Sequence, residues 1–219
     1  MKKLGQFLPL VFLGLMSLNA YAYERGDLLV RAGWASVQAG DKSGEVSTIP
    51  GSGVGVDSSD NLGFNFSYFV HDKFAIEVLA ALPFEHDLKG EGSLGALGEI
   101  GSVKHLPPTV TLQYFPMSAQ SKIQPHIGLG INYTTFFDED ASTSLKEALG
   151  GKADISLDDS VAPAVVMGLD INYERFIFGF EAYYFNLDTD AEINTGQDTL
   201  EVGVDIDPWV LLLSVGYRF

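Results

Sequence analysis

The sequence contains no cysteine, so neither a disulfide framework nor a thiolate metal site can contribute. Positive charge is also scarce: 13 Lys and Arg stand against 29 Asp and Glu, a formal charge of −16. Phosphate recognition needs a basic surface, so nucleic acid is excluded as a partner. Beyond residue 22 no apolar run approaches the ~20 residues that a membrane-spanning helix needs. No serine or cysteine nucleophile sits in a distinctive local motif, and no cofactor signature occurs. These absences argue against an enzyme and against any cofactor.

The N-terminus supplies the first positive signal. Met1-Lys2-Lys3 precedes an apolar core over 8–18 and then Ala20-Tyr21-Ala22. A positive start, a short apolar stretch and an A-x-A site predict a signal peptide over 1–22, cut before Tyr23. As an anchor helix the core is too short, and Gly14, Ser17 and Asn19 weaken it further. Residues 1–22 carry Lys2 and Lys3 and no acid, so removing them takes the formal charge from −16 to −18. Residues 23–219 then make one domain of an exported chain, either soluble in the periplasm or a β-barrel.

The C-terminal stretch chooses between them. Trp209, Leu211, Leu213, Val215, Tyr217 and Phe219 alternate with Pro208, Val210, Leu212, Ser214, Gly216 and Arg218. Period two means a strand whose faces meet different media, and an apolar face with aromatics near both ends suits a bilayer crossing. The end at Tyr217 and Phe219 resembles the assembly signal read by the barrel-assembly machinery of the bacterial outer membrane. Similar alternation recurs over 28–37, 62–70, 74–82, 106–116, 123–137, 161–173 and 176–187. Three short turns, at 71–73, 117–122 and 174–175, alternate with four long acidic loops at 38–60, 84–105, 138–160 and 188–205. A helical turn is predicted over 144–149 in the third. A soluble lipocalin-like barrel would also have eight strands, but with its charged face outward. Here the face rich in Phe, Leu, Ile and Val carries almost no charge, which directs it to lipid. The predicted fold is all-β: an eight-stranded antiparallel transmembrane β-barrel with short periplasmic turns and long extracellular loops. Outer-membrane lipids and lipopolysaccharide are then its surroundings.

Residues of the opposite parity must face the lumen. Near the short-turn end these are Arg31, Asn65, Glu77, Gln113, His126, Asp170 and Arg218, with Glu181 a little higher. Buried charges need partners, so a polar periplasmic plug is predicted. Catalysis by His126 with Asp170 or Glu77 is the competing use, and it lacks a nucleophile. Nearer the long loops the lumen turns apolar: Val37, Leu79, Ala81, Phe136, Ala162, Ala164, Val166, Tyr183, Phe185, Val210 and Leu212. An oily ligand route and simple packing of a narrow barrel both fit this set. The adjacent Pro107 and Pro108 remove ladder donors, so pairing should weaken there. The acid clusters 138–140 and 158–159 suit a divalent cation or a solvated surface, and no ligand spacing decides between them.

Several segments carry a family resemblance: LLVRAGWASV at 28–37, VLAALPFEHDL at 78–88, VKHLPPTVTLQYFP at 103–116, IQPHIGLGINYTTFFDED at 123–140 and DPWVLLLSVGYRF at 207–219. In these the chain resembles the OmpW family of small outer-membrane proteins, and the HLPP and GINYTTFFD stretches are the most distinctive. The resemblance implies a hydrophobic channel that does not run straight through to the periplasm. It implies that small hydrophobic solutes enter from outside and leave sideways through the wall. Relatives of this kind include alkane-uptake proteins and colicin receptors. The expected function is passive uptake of small hydrophobic molecules, with lateral exit near Pro107 and Pro108. A structural or interaction protein whose loops serve as a colicin or phage receptor is the alternative. The family offers no site motif to carry over, so the lumen residues rest on parity alone.

Overall fold

Period-two alternation becomes a closed sheet in the computed structural model, which describes residues 23–40, 42, 43, 46 and 49–219. The segment read as a signal peptide, 1–22, lies outside the described residues. Along the chain run β1 (Leu28–Gln38), β2 (Lys42–Ser43), β3 (Ser52–Val56), β4 (Ser59–His71), β5 (Phe74–Ala81), β6 (Phe84–Gly92), β7 (Glu99–Leu106) and β8 (Thr109–Tyr114). They are followed by β9 (Ile123–Ala141), α1 (Thr143–Ala148), β10 (Asp154–Leu157), β11 (Ser160–Tyr173), β12 (Phe176–Phe185), β13 (Asp188–Asn194), β14 (Thr199–Asp205) and β15 (Trp209–Arg218).

Eight of these strands close the barrel, in the order β1, β4, β5, β8, β9, β11, β12, β15 and back to β1. Every pairing is antiparallel, and the last strand meets the first from Leu29↔Arg218 to Gln38↔Trp209. Closure leaves no unpaired edge facing hydrocarbon, which a lipid environment demands. The outer face is apolar and exposed, as at Phe66, Ile76, Leu112, Leu129, Phe178 and Leu213. Exposed Trp34, Tyr133 and Trp209 ring the loop side, and Tyr68, Tyr114 and Phe176 ring the turn side. Two aromatic girdles around an apolar band mark the membrane interfaces.

Above the loop-side girdle the structure departs from the sequence reading. The segments read as loops are largely β-structure. β9 continues past the girdle to pair with β7, which pairs with β6 and then β3. A second sheet runs β10, β13, β14, β2. The acids misled the reading because they occupy the outer face, as at Glu85 and Asp87, while the alternate positions His86 and Leu88 are buried. Val202 and Val204 follow the same rule between exposed Glu201, Gly203 and Asp205. The helical turn read at 144–149 is α1, capped by Ser142, whose Oγ accepts from the Leu145 amide at 3.1 Å.

Candidate functional site

Alternation aims one side chain in two at the axis, and the barrel register decides which of them meet. Arg31 of β1 lies at the centre of the lower lumen, 1% exposed. Its Nη1 donates to Asp170 Oδ1 at 2.6 Å, and its Nη2 donates to Glu77 Oε2 at 2.8 Å and Ser67 Oγ at 2.6 Å. Glu181 Oε1 is 3.5 Å from the same guanidinium and 3.1 Å from His126 Nε2. Glu77 Oε1 accepts from Gln113 Nε2 and from the Tyr183 hydroxyl, both at 2.6 Å. Asn65 Nδ2 donates to Glu181 and, at 3.0 Å, to Tyr183 Oη. Seven strands thus contribute to one cross-linked polar layer. Glycines make room for it: a Cβ on Gly216 would lie 2.3 Å from Arg31 Cγ, and one on Gly168 2.2 Å from His126 Nε2.

Two features of this layer were not legible from parity. Arg218 stands outside it, at the periplasmic rim, with Nη1 3.9 Å from Asp27 Oδ2. Its register partner is Leu29, whereas Arg31 pairs with Gly216, so Arg218 sits two residues nearer the mouth. Beneath the polar layer lies an apolar one of Tyr23, Leu29, Phe69, Ala75, Phe115 and Ile177. Tyr23 and Phe115 each pack on the Phe69 ring, with centroids 4.8 and 4.9 Å away, and the Tyr23 hydroxyl donates to Asp170 Oδ2 at 2.9 Å. Phe115 also stacks on His126 at 4.7 Å, so that imidazole is held between a ring and a carboxylate. The lower lumen is closed twice.

Higher up, the predicted apolar set divides. Leu79, Val166, Tyr183 and Leu212 pack with Ala35, Ala162 and Ala164 into a buried belt that fills the barrel above the polar layer. Above this belt the lumen opens. A cavity lies there, and Val37, Phe136, Phe185 and Val210 reach it from the predicted set. Most of its lining comes from the extension, including Val54, Val103, Ile155, Ile193, Val204 and Ile206. Among the described residues its polar lining side chains are His86, His105 and Thr134. Sequence reading missed this site because it assigned these segments to solvated loops. The usable signal was the Leu200-Val202-Val204-Ile206 alternation.

The barrel wall is interrupted beside the cavity. The β5–β8 ladder ends at Leu79↔Thr109, and the β6–β7 ladder begins only at Phe84↔His105. Pro107 and Pro108 occupy the gap, with Pro107 buried against the cavity and Pro108 exposed outward. Proline offers no amide to a ladder. On the β9 side the Pro108 carbonyl still accepts from the Tyr133 amide at 3.0 Å, while the Pro107 carbonyl accepts from Asn132 Nδ2 and Thr109 Oγ1 at 3.2 and 3.0 Å. Across the gap, Asn61 Nδ2 donates to Pro83 O at 2.7 Å, and exposed Leu82 covers the outside.

Known proteins share this architecture. The family model described as the OmpW family matches residues 24–219. Outer membrane protein W of Vibrio cholerae is 39% identical over 211 residues, covering 95% of this chain and 96% of that one. The crystal structure of the outer membrane protein OprG from Pseudomonas aeruginosa is similar with a TM-score of 0.85 and 37% identity, covering 92% of this chain and 99% of that one. A dibenzothiophene metabolism operon protein, PahQ of Pseudomonas aeruginosa, is 28% identical over 172 residues, covering 78% of this chain and 77% of that one. A closed eight-stranded barrel with two girdles, matched over nearly its whole length, places the protein in the outer membrane: the chain belongs to the OmpW family.

Proposed function

We propose that the protein is a passive outer-membrane channel for small hydrophobic molecules, which enter the cavity from outside and leave sideways into the bilayer. The observation that carries this reading is the apolar cavity meeting the wall exactly where the ladder is interrupted, at Pro107. A water-filled pore would need polar lining, whereas burying an oily solute against valine and isoleucine is favourable by about 25 cal/mol per Å² of apolar area. The doubly closed lower lumen denies the solute a straight path, so the break between Leu79↔Thr109 and Phe84↔His105 is the exit. The operon context in PahQ's name, metabolism of an apolar aromatic, agrees with such cargo. The same reading takes the lipid around the loop-side girdle as lipopolysaccharide, and Tyr217 and Phe219 as the end that the assembly machinery engages. Deleting Phe219 should then lower the membrane-inserted fraction, and normal insertion would remove that part of the proposal.

The decisive experiment is uptake of a small hydrocarbon by a deletion strain carrying wild-type or variant protein. Val204→Arg places a charge in the cavity wall, above the girdle, where it leaves the barrel intact. It should reduce uptake strongly while the unboiled protein still migrates as a folded barrel. Val166 and Leu212 are poorer test positions, because both are sealed in the packed belt and a charge there would disturb the barrel itself. Unchanged uptake by folded Val204→Arg would overturn the route through this cavity.

A further inference from the structure

The wall of the upper cavity is one sheet thick, so its two faces belong to the same strands. Leu88, Ile100, Ile155, Ile193, Val202 and Val204 face inward, and among the described residues no Asp, Glu, Lys or Arg lines the cavity. The alternate positions face outward and are acidic. β6 carries three acids, β7 one, β10 one, β13 three and β14 two, all of them exposed. The same five strands carry two lysines, and both are engaged by other acids. Lys89 pairs with Asp57, and Lys104 Nζ lies 3.3 Å from Asp138 Oδ2.

The β13–β14 hairpin shows how dense this outer charge is. Register sets Asp188 opposite Asp205 and Glu192 opposite Glu201. Like charges directly opposite weaken a ladder, so this hairpin holds in spite of its outer face. Desolvation, and then the charges of Asp205 and Asp207, push the Asp188 carboxyl up. Surface charge of one sign gives a potential of several kT, and low-dielectric walls focus it into a cleft. At ~0.1 M salt the potential decays over about 10 Å, comparable with the spacing of two packed sheets. The space behind a wall one sheet thick therefore lies within its reach. An anion in the cavity would meet that potential and find no lysine or arginine in the lining, and burying a charge without a partner is costly.

We propose that the cavity discriminates by charge: it takes neutral apolar molecules and amphiphilic amines and turns away amphiphilic carboxylates of the same size and shape. An amine buries its apolar body against the oily lining and keeps its ammonium toward the mouth, where the negative field favours it. A carboxylate in the same pose is repelled, and turned about it is buried without a partner. This selectivity rests on the channel reading given above, whose cavity it uses.

The test is equilibrium binding to the full chain in phosphatidylcholine nanodiscs around pH 7, with empty discs as the reference for partitioning. Three probes share one body: 1-naphthylmethylamine is a cation, 1-methylnaphthalene is neutral and 1-naphthoate is an anion. Wild type should bind the amine about tenfold or more tighter than the carboxylate at ~0.1 M salt, with the hydrocarbon between them. At about 1 M salt the field reaches only about 3 Å, so the ratio should collapse toward one. Neutralising the hairpin with Asp188→Asn, Asp190→Asn, Glu192→Gln and Asp205→Asn together should lower the ratio several-fold at low salt. Equal binding of the three probes by wild type, or tighter binding of the carboxylate, overturns the charge selection and leaves the uptake reading standing. A ratio that survives high salt also overturns it, since a short-range contact would then be responsible. Failure of wild type to bind any probe defeats the cavity reading and this inference together. The wild-type salt series decides the matter even if the variant does not fold.

Discussion

The lower lumen and the upper cavity are built from the same strand parity in one continuous sheet, yet one is solid and polar and the other hollow and oily. Below, Arg31 gathers Glu77, Asp170 and Glu181, and the aromatic layer of Tyr23, Phe69 and Phe115 closes the mouth. Above, the walls are spread by strands that pair outside the eight-strand ring, so facing side chains such as Val54 and Ile193 line space instead of filling it. An eight-stranded ring has an interior just wide enough for side chains to fill. The difference therefore comes from how many strands surround each level, and polarity follows. A filled level can satisfy charges mutually, while a hollow level lined by isolated charges could not.

The largest expected effect that would break this comparison is in the lower lumen. Arg31→Met leaves three buried carboxyl groups without their common partner, and barrel stability in urea titrations should fall by about 3–5 kcal/mol. Removing Glu77 together with Arg31 does not restore balance, because Asp170 also bonds the guanidinium directly. Should Val204→Arg in the cavity wall cost the barrel as much, the two levels are one cooperative core and the contrast is lost.

A second effect, slightly smaller, sharpens the assignment of the floor. Phe115→Ala removes a ring from the aromatic layer and should cost about 3 kcal/mol, at the low end for such truncations. Combined with Phe69→Ala it should raise single-channel conductance in planar bilayers while hydrocarbon uptake stays near the wild-type value. A parallel fall in uptake would mean that solutes leave through the floor.

The smallest stability change belongs to the wall. Pro107→Val with Pro108→Val restores two amides opposite residues 80–83, and stability should shift by no more than about 1 kcal/mol. Uptake should nonetheless fall several-fold, with probe binding in the cavity retained, because the ladder can now zip shut. Retained uptake in that double variant would show that the exit lies elsewhere.

Much of this was legible in the sequence. Alternation at 62–70 and 209–219 set the strands, the lack of charge on one parity set the lipid face, and the turn lengths set the orientation. The other parity named Arg31, Glu77, Gln113, His126, Asp170 and Glu181, because a polar or charged side chain on a lumen position stands out among valines. These are local properties of one strand, and period two transmits them without knowledge of neighbours. What the tertiary structure alone decided is which lumen residues meet. Register separated Arg218 from Arg31, brought Tyr23 under Asp170, and sealed Val166 and Leu212 into a packed belt. It also assembled the cavity from segments whose acids and glycines read as solvated loop. The physical reason is that alternation fixes a side chain's direction, whereas the width of the space it enters depends on strands far away in the chain. His105 illustrates the limit: its direction follows from β7, but its contact with His86 exists only because β6 pairs beside it, with His86 in turn held by the Asp57 carbonyl.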